Sequence, residues 1–143
     1  MSRKPPTSGT IPVMAGLAFE HLAVNVSDPA AVAAWYVDHL GMTIVRRGDP
    51  PVSMHFLADA GRRAMIELYS NASAPTDIYR DLHPAQLHLA FTSADPDADT
   101  DRLVAAGATL IEHLHNPDGS HLTMLRDPWG LPIQLAKRAT PML

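Results

Sequence analysis

Four side chains in this sequence have the types and the spacing to hold a metal ion: His21, Glu67, His88 and Gln134. His88 follows His21 by 67 residues (88 − 21), and Gln134 follows Glu67 by the same 67 (134 − 67). Each half of the chain therefore supplies one imidazole and, 46 residues later (67 − 21 and 134 − 88), one carboxylate or amide oxygen. Two imidazoles with oxygen donors suit a divalent transition metal, because imidazole favours Zn, Ni, Co or Fe(II) and oxygen completes the shell. The expected cofactor is one such ion, Zn, Ni, Co, Mn or Fe(II), per chain.

The elements that must position these residues repeat with the same offset. "FEHLAVNV" reads as a strand, "SDPAAVAAWYVDHLG" as a helix opened by Asp28-Pro29 and closed at Gly41, and "MTIVRR", "PVSMHFLA" and "RAMIELYS" as three strands. After the connection "NASAPTDIYRDLHPA", the series restarts with the strand "QLHLAFTS" and a helix opened by Asp95-Pro96 and closed near Gly107. The strands "TLIEHLH", "HLTMLRD" and "LPIQLAKR" complete it. Asp95-Pro96 follows Asp28-Pro29 by 67 (95 − 28), whereas Gly107 follows Gly41 by 66, a slip that the last strand restores. In the first helix Val32, Trp35, Tyr36, His39 and Leu40 share one face.

Strand parity sorts the faces. Leu22, Val24, Val26, Ile66, Leu68, Leu87, Leu89, Phe91, Ile133 and Leu135 point one way, toward covering helices. His21, Asn25, Glu67, Tyr69, His88 and Gln134 point the other way. The expected fold is α+β, two tandem βαβββ modules forming a cupped mixed sheet. The divisions are a tail over 1–16, a first module over 17–70, a linker over 71–84, a second module over 85–138 and a tail over 139–143. A lone strand histidine is usually a surface or satisfied core residue, and His39, His55, His83, His113, His115 and His121 are read that way.

Composition narrows the function. A net charge of −4 with pI near 6.0 and no block of like charge disfavour a nucleic-acid partner. The absence of cysteine removes disulfides and thiolate chemistry, which suits a cytoplasmic protein. No apolar run is long enough to span a membrane. The opening "MSRKPPTSGTIPVMAG" lacks the apolar core of a signal peptide and reads as a flexible tail.

With "HLGM" after the first helix and "RDPWGLPIQL" at the end, residues 19–138 resemble the vicinal oxygen chelate superfamily. That superfamily includes glyoxalase I, fosfomycin-resistance enzymes, methylmalonyl-CoA epimerase and extradiol dioxygenases. The resemblance implies a small oxygen-chelating substrate held on a metal. It also implies a homodimer in which His21 and Glu67 of one chain meet His88 and Gln134 of the other. Glyoxalase I has a glutamate where this chain has Gln134, so Glu67 is the carboxylate left to serve as base. Asn71 is similar to a family asparagine, but the usual arginine positions hold Asn25 and Pro84, which disfavours a glutathione substrate. Alignment to glyoxalase-like hairpins puts Met54, Phe56, Leu122 and Met124 on the pocket wall, with Asn25, Tyr69 and Asn71 as further substrate contacts.

Three functions follow from that resemblance. The first is a lyase or isomerase that moves a proton beside a carbonyl. The second is an Fe(II) extradiol-type dioxygenase, using two histidines and one carboxylate. The third is a metal-free small-molecule-binding protein of the bleomycin-resistance kind.

Overall fold

The computed structural model describes residues 15–143, so the tail expected over 1–16 lies almost wholly outside the described residues. The first module is β1 (His21–Asn25), α1 (Pro29–Leu40), β2 (Thr43–Arg47), β3 (His55–Ala58) and β4 (Met65–Tyr69). A 3-10 turn (Ile78–Asp81) leads to the second module: β5 (Leu89–Thr92), α2 (Pro96–Ala105), β6 (Thr109–His115), β7 (His121–Arg126) and β8 (Pro132–Lys137). Each module is a four-stranded mixed sheet, ordered β1-β4-β3-β2 and β5-β8-β7-β6. In each, the first strand pairs parallel with the last and the other pairs are antiparallel.

The duplication extends to fine detail. Asp28 and Asp95 each cap a helix, accepting from Ala31 N at 3.0 Å and Ala98 N at 3.1 Å, with proline at the first helical position. Gly41 takes the left-handed conformation that ends α1 (φ 68°), which a residue with a Cβ adopts only at a cost. Both modules carry a β-bulge in the strand after the helix, between Ile44 and Arg46 and between Leu110 and Glu112.

Two strands are shorter than their sequence suggests. "PVSMHFLA" becomes a strand only at His55, because Pro50 and Pro51 cannot donate to a ladder and the chain turns at Ser53 (φ 48°). "QLHLAFTS" pairs only from Leu89, so His88 lies one residue before β5 rather than within it. A turn closed by Gln86 N donating to His83 O at 2.8 Å occupies the preceding residues.

The core is one continuous layer beneath the helices. Val24, Leu57, Ile66 and Leu68 of the first sheet and Leu125, Ile133 and Leu135 of the second are buried with Val32, Trp35, Tyr36 and Leu103 of the helices. The helices and the β7–β8 turn tie the modules together. Trp35 Nε1 donates to Ala106 O at 2.8 Å, and Arg102 donates to His39 O at 2.7 Å. Fully buried Tyr36 donates its hydroxyl to Asp127 Oδ2 at 2.7 Å. Asp127 Oδ1 accepts from Trp129 N and Leu131 N, both at 2.9 Å. Burial pushes the Asp127 carboxyl above its ordinary range despite these bonds, and burial with the Asp127 charge pushes the Tyr36 hydroxyl well up.

With the modules joined through their helices, β1 and β5 both stay at sheet edges. Among the described residues, no helix is long and apolar enough to cross a membrane.

Candidate metal centre

β1 and β4 bring the first half of the quartet together. Ala23 is the parallel partner of Glu67, so His21, two residues earlier on the same face, stands beside that carboxylate. His21 Nε2 lies 3.3 Å from Glu67 Oε2. On its other side, His21 Nδ1 lies 2.9 Å from Glu20 Oε1. A carboxylate oxygen only accepts, so Nδ1 carries the hydrogen and Nε2 is turned toward Glu67. Nε2 and Oε2 therefore present two donor atoms to the same space. The Nδ1–carboxylate contact is also the outer-shell arrangement that orients metal-ligating histidines. Phe56, opposite Glu67 in the β3–β4 ladder, sets its ring edge-on to His21 with centroids 5.2 Å apart.

The second half is laid out the same way. His88 Nδ1 donates to Pro84 O at 2.8 Å, again leaving Nε2 as the free nitrogen. His88 and Gln134 line one cleft of about 300 Å³ with His83, Glu112, Leu122 and Met124. Gln134 and Met124 are cross-strand partners, and Leu122 is the next residue on that face. Leu122 and Met124, expected on the pocket wall, line this cleft, and Ile111 and Leu114 extend it.

Among the described residues, His21, Glu67 and His88 form no group with ligand atoms in common reach; one such group exists, Asp97, His113 and His121. The donor chemistry fits a divalent ion in each half, His–Glu in one and His–Gln in the other, but each half is incomplete alone. His21 on the β1 edge and His88 at the start of the β5 edge are both accessible to a second chain.

Asn25 and Asn71, expected as substrate contacts, both hydrogen-bond to the loop that follows β4. Asn25 is buried, and its amide clasps the following loop: Nδ2 donates to Asn71 O at 3.0 Å and Ala74 O at 3.1 Å, while Oδ1 accepts from Asn71 N at 2.7 Å. Asn71 turns its own Oδ1 to Ser73 N at 3.0 Å and Ser73 Oγ at 2.7 Å. Both side chains thus hold the 71–75 loop. Met54 packs over Gly48, whose missing Cβ would meet Met54 Cε at 3.1 Å. Tyr69 keeps the face shared with Glu67 and is half-buried.

His121, read from the sequence as a surface or satisfied core residue, is neither. It is 9% exposed, and its Nε2 is buried with no hydrogen-bond partner among the described residues. The missed signal was the pairing of "HLH" with His121 across the turn "NPDGS", which places three imidazoles together.

The sequence model of the Glyoxalase/Bleomycin resistance protein/Dioxygenase superfamily matches residues 18–135. The solved structure of SMU.1112c is similar at 27% identity and TM-score 0.67, covering 85% of this chain and 98% of that one. TnmS3, an antibiotic binding protein from Streptomyces sp. CB03234, is similar at 23% identity and TM-score 0.66, covering 86% and 97%. A glyoxalase family protein from Bacillus cereus is similar at 20% identity and TM-score 0.66, covering 90% and 97%. No curated protein matches the sequence. With a family match across nearly all of both modules and the fold to accompany it, the chain belongs to the glyoxalase/bleomycin resistance protein/dioxygenase superfamily.

Proposed function

We propose that this protein is a metal-dependent lyase or isomerase that moves a proton beside a carbonyl of a small, oxygen-chelating organic substrate. The observation that carries the reading is the His21–Glu67 pair, with Nε2 and Oε2 3.3 Å apart and Nδ1 anchored on Glu20. His21 and Glu67 of one chain, with His88 and Gln134 of its partner, would hold the ion. When bound, the ion supplies Lewis-acid stabilisation of the negative charge that develops on the substrate oxygens. Glu67 takes the proton, because the amide of Gln134 has no basicity. Leu122, Met124, Ile111 and Leu114 exclude water and favour a compact, largely apolar substrate over a polyphosphate or a CoA tail. The dioxygenase reading is weaker, because the carboxylate stands in the first module whereas extradiol enzymes carry it in the last strand. The apolar cleft favours a second reading, a metal-free binding protein, as the name of the antibiotic-binding TnmS3 describes for that relative.

Replacing both His21 and His88 with Ala is expected to remove about one divalent ion per chain while the fold survives, as both side chains lie outside the core. Elemental analysis after metal-supplemented expression measures this. Equal metal content in the wild type and the double variant would overturn the site and favour the binding-protein reading.

A further inference from the structure

We propose a second divalent-metal site, formed by Asp97, His113 and His121 on the opposite face of the second sheet from the cleft. The face follows from the register. His121 and Thr123 alternate along β7 with Leu122 and Met124, so the first pair points toward α2 and the second pair into the cleft. His113 is the cross-strand partner of Thr123, and His115 of His121. Asp97, in the first turn of α2, leans over this patch.

The three donors already surround one point. Asp97 Oδ1 lies 3.6 Å from His121 Nε2 and 3.8 Å from His113 Nδ1, and one ligand atom from each residue lies within 4.8 Å of the others. Ligands of a tetrahedral zinc, at about 2.0–2.1 Å from the ion, stand about 3.3 Å apart, so adjustments of a few tenths of an ångström up to about 1.5 Å complete the shell. His121 Nε2 is the independent sign. It is buried and without a hydrogen-bond partner among the described residues, and 3.6 Å to Asp97 is too long for a hydrogen bond. His115 stacks on His121 with centroids 4.0 Å apart, fixing the ring that presents this nitrogen. Two imidazoles and one carboxylate suit Zn²⁺ or a similar first-row ion, not Mg²⁺ or Ca²⁺. Asp97 is 70% exposed at its side chain, so the ion would enter from the rim and a water would complete its coordination. An ion there clips the first turn of α2 to the β6–β7 hairpin.

One contact opposes binding. His113 Nδ1 is 3.1 Å from Thr123 Oγ1, so the hydroxyl and the metal compete for one lone pair. The test uses the full chain carrying His21→Ala and His88→Ala, which leaves only the second site intact. Calorimetric titration with ZnCl₂ is expected to show about one Zn²⁺ per chain and no binding of MgCl₂. Adding Asp97→Asn and His113→Gln, both at exposed positions, should weaken binding by more than the roughly 10–100-fold that an outer-shell loss costs. Thr123→Val should bind at least as tightly as its parent. A parent that binds no zinc overturns the site. Unchanged affinity in the Asp97→Asn, His113→Gln protein also overturns it, assigning the zinc to other surface histidines. The first metal centre is counted independently in the chain carrying only Asp97→Asn and His113→Gln, so failure of either site is distinguishable from failure of the other.

Discussion

Glu67→Gln is expected to lower turnover by roughly 10²–10⁴-fold, the range typical of a lost general base, while much of the bound metal remains. Glutamine keeps the shape of the side chain and one oxygen able to face the ion, but it cannot accept a proton. Glu67 suits the role because it is half-buried on β4, beside His21 and opposite Phe56, where its carboxylate meets little bulk water. Gln134→Glu should act in the opposite sense, restoring a second carboxylate at the position where glyoxalase I has one. The assay is solvent-deuterium exchange followed by NMR across 2-oxoaldehyde hemithioacetals, 2-oxo acids and hydroxyketones. A substrate exchanged by Glu67→Gln at the wild-type rate would reduce Glu67 to a ligand.

The largest effect on stability is expected at Asp127, which joins the modules. Asp127→Ala strands the hydroxyl of Tyr36 and the amide of Leu131, both buried, and the amide of Trp129. At about 1–3 kcal/mol for each buried donor left unpaired, the loss should reach about 3–5 kcal/mol in urea unfolding. Asp127→Asn should cost less, since its oxygen can still accept from both amides, although the Tyr36 hydroxyl loses its acceptor and can only accept from the new amide nitrogen. The two proteins should also differ in pH dependence. Burial holds the folded-state Asp127 carboxyl above its unfolded value. Its stabilising contribution is therefore complete below the unfolded pKa and is lost as pH rises through the folded one. The advantage of wild type over Asp127→Asn should shrink as pH rises through that window. An advantage that grows with pH would contradict the assignment.

The repeat was legible in the sequence because its signals are local. Asp-Pro at Asp28 and Asp95, the glycines at Gly41 and Gly107, and period-two parity each depend on neighbours in the chain, and both helices begin where those signals put them. Parity also put His21 and Glu67 on one face. Long-range contacts were not legible. Asn25 shares the face of His21, yet its amide serves a loop 46 to 50 residues away. His88 left its strand because Pro84 and the turn after it took the preceding residues. His121 resembles its neighbours in sequence, and only hairpin register with a helix overhead shows it buried beside Asp97. Parity likewise fixes a face without saying which face it meets, so the division of the quartet between two chains came from the family resemblance and not from the strand pattern.

Completion of each metal centre by a second chain, as proposed, is tested most directly by mixing two variants that each lack one of the histidines. A homodimer of His21→Ala lacks that ligand in both sites, and a homodimer of His88→Ala lacks the other. If each site draws His21 from one chain and His88 from its partner, as proposed, a mixed dimer has one site missing both histidines and one site fully intact. Metal content is read in the Asp97→Asn, His113→Gln background after unfolding and refolding an equal mixture. About half of randomly assembled dimers are mixed, so metal should return to about one quarter of the parent level, and exchange activity with it. Two variants that stay metal-free when mixed, or a protein that remains monomeric by light scattering at micromolar concentration, would contradict the shared site.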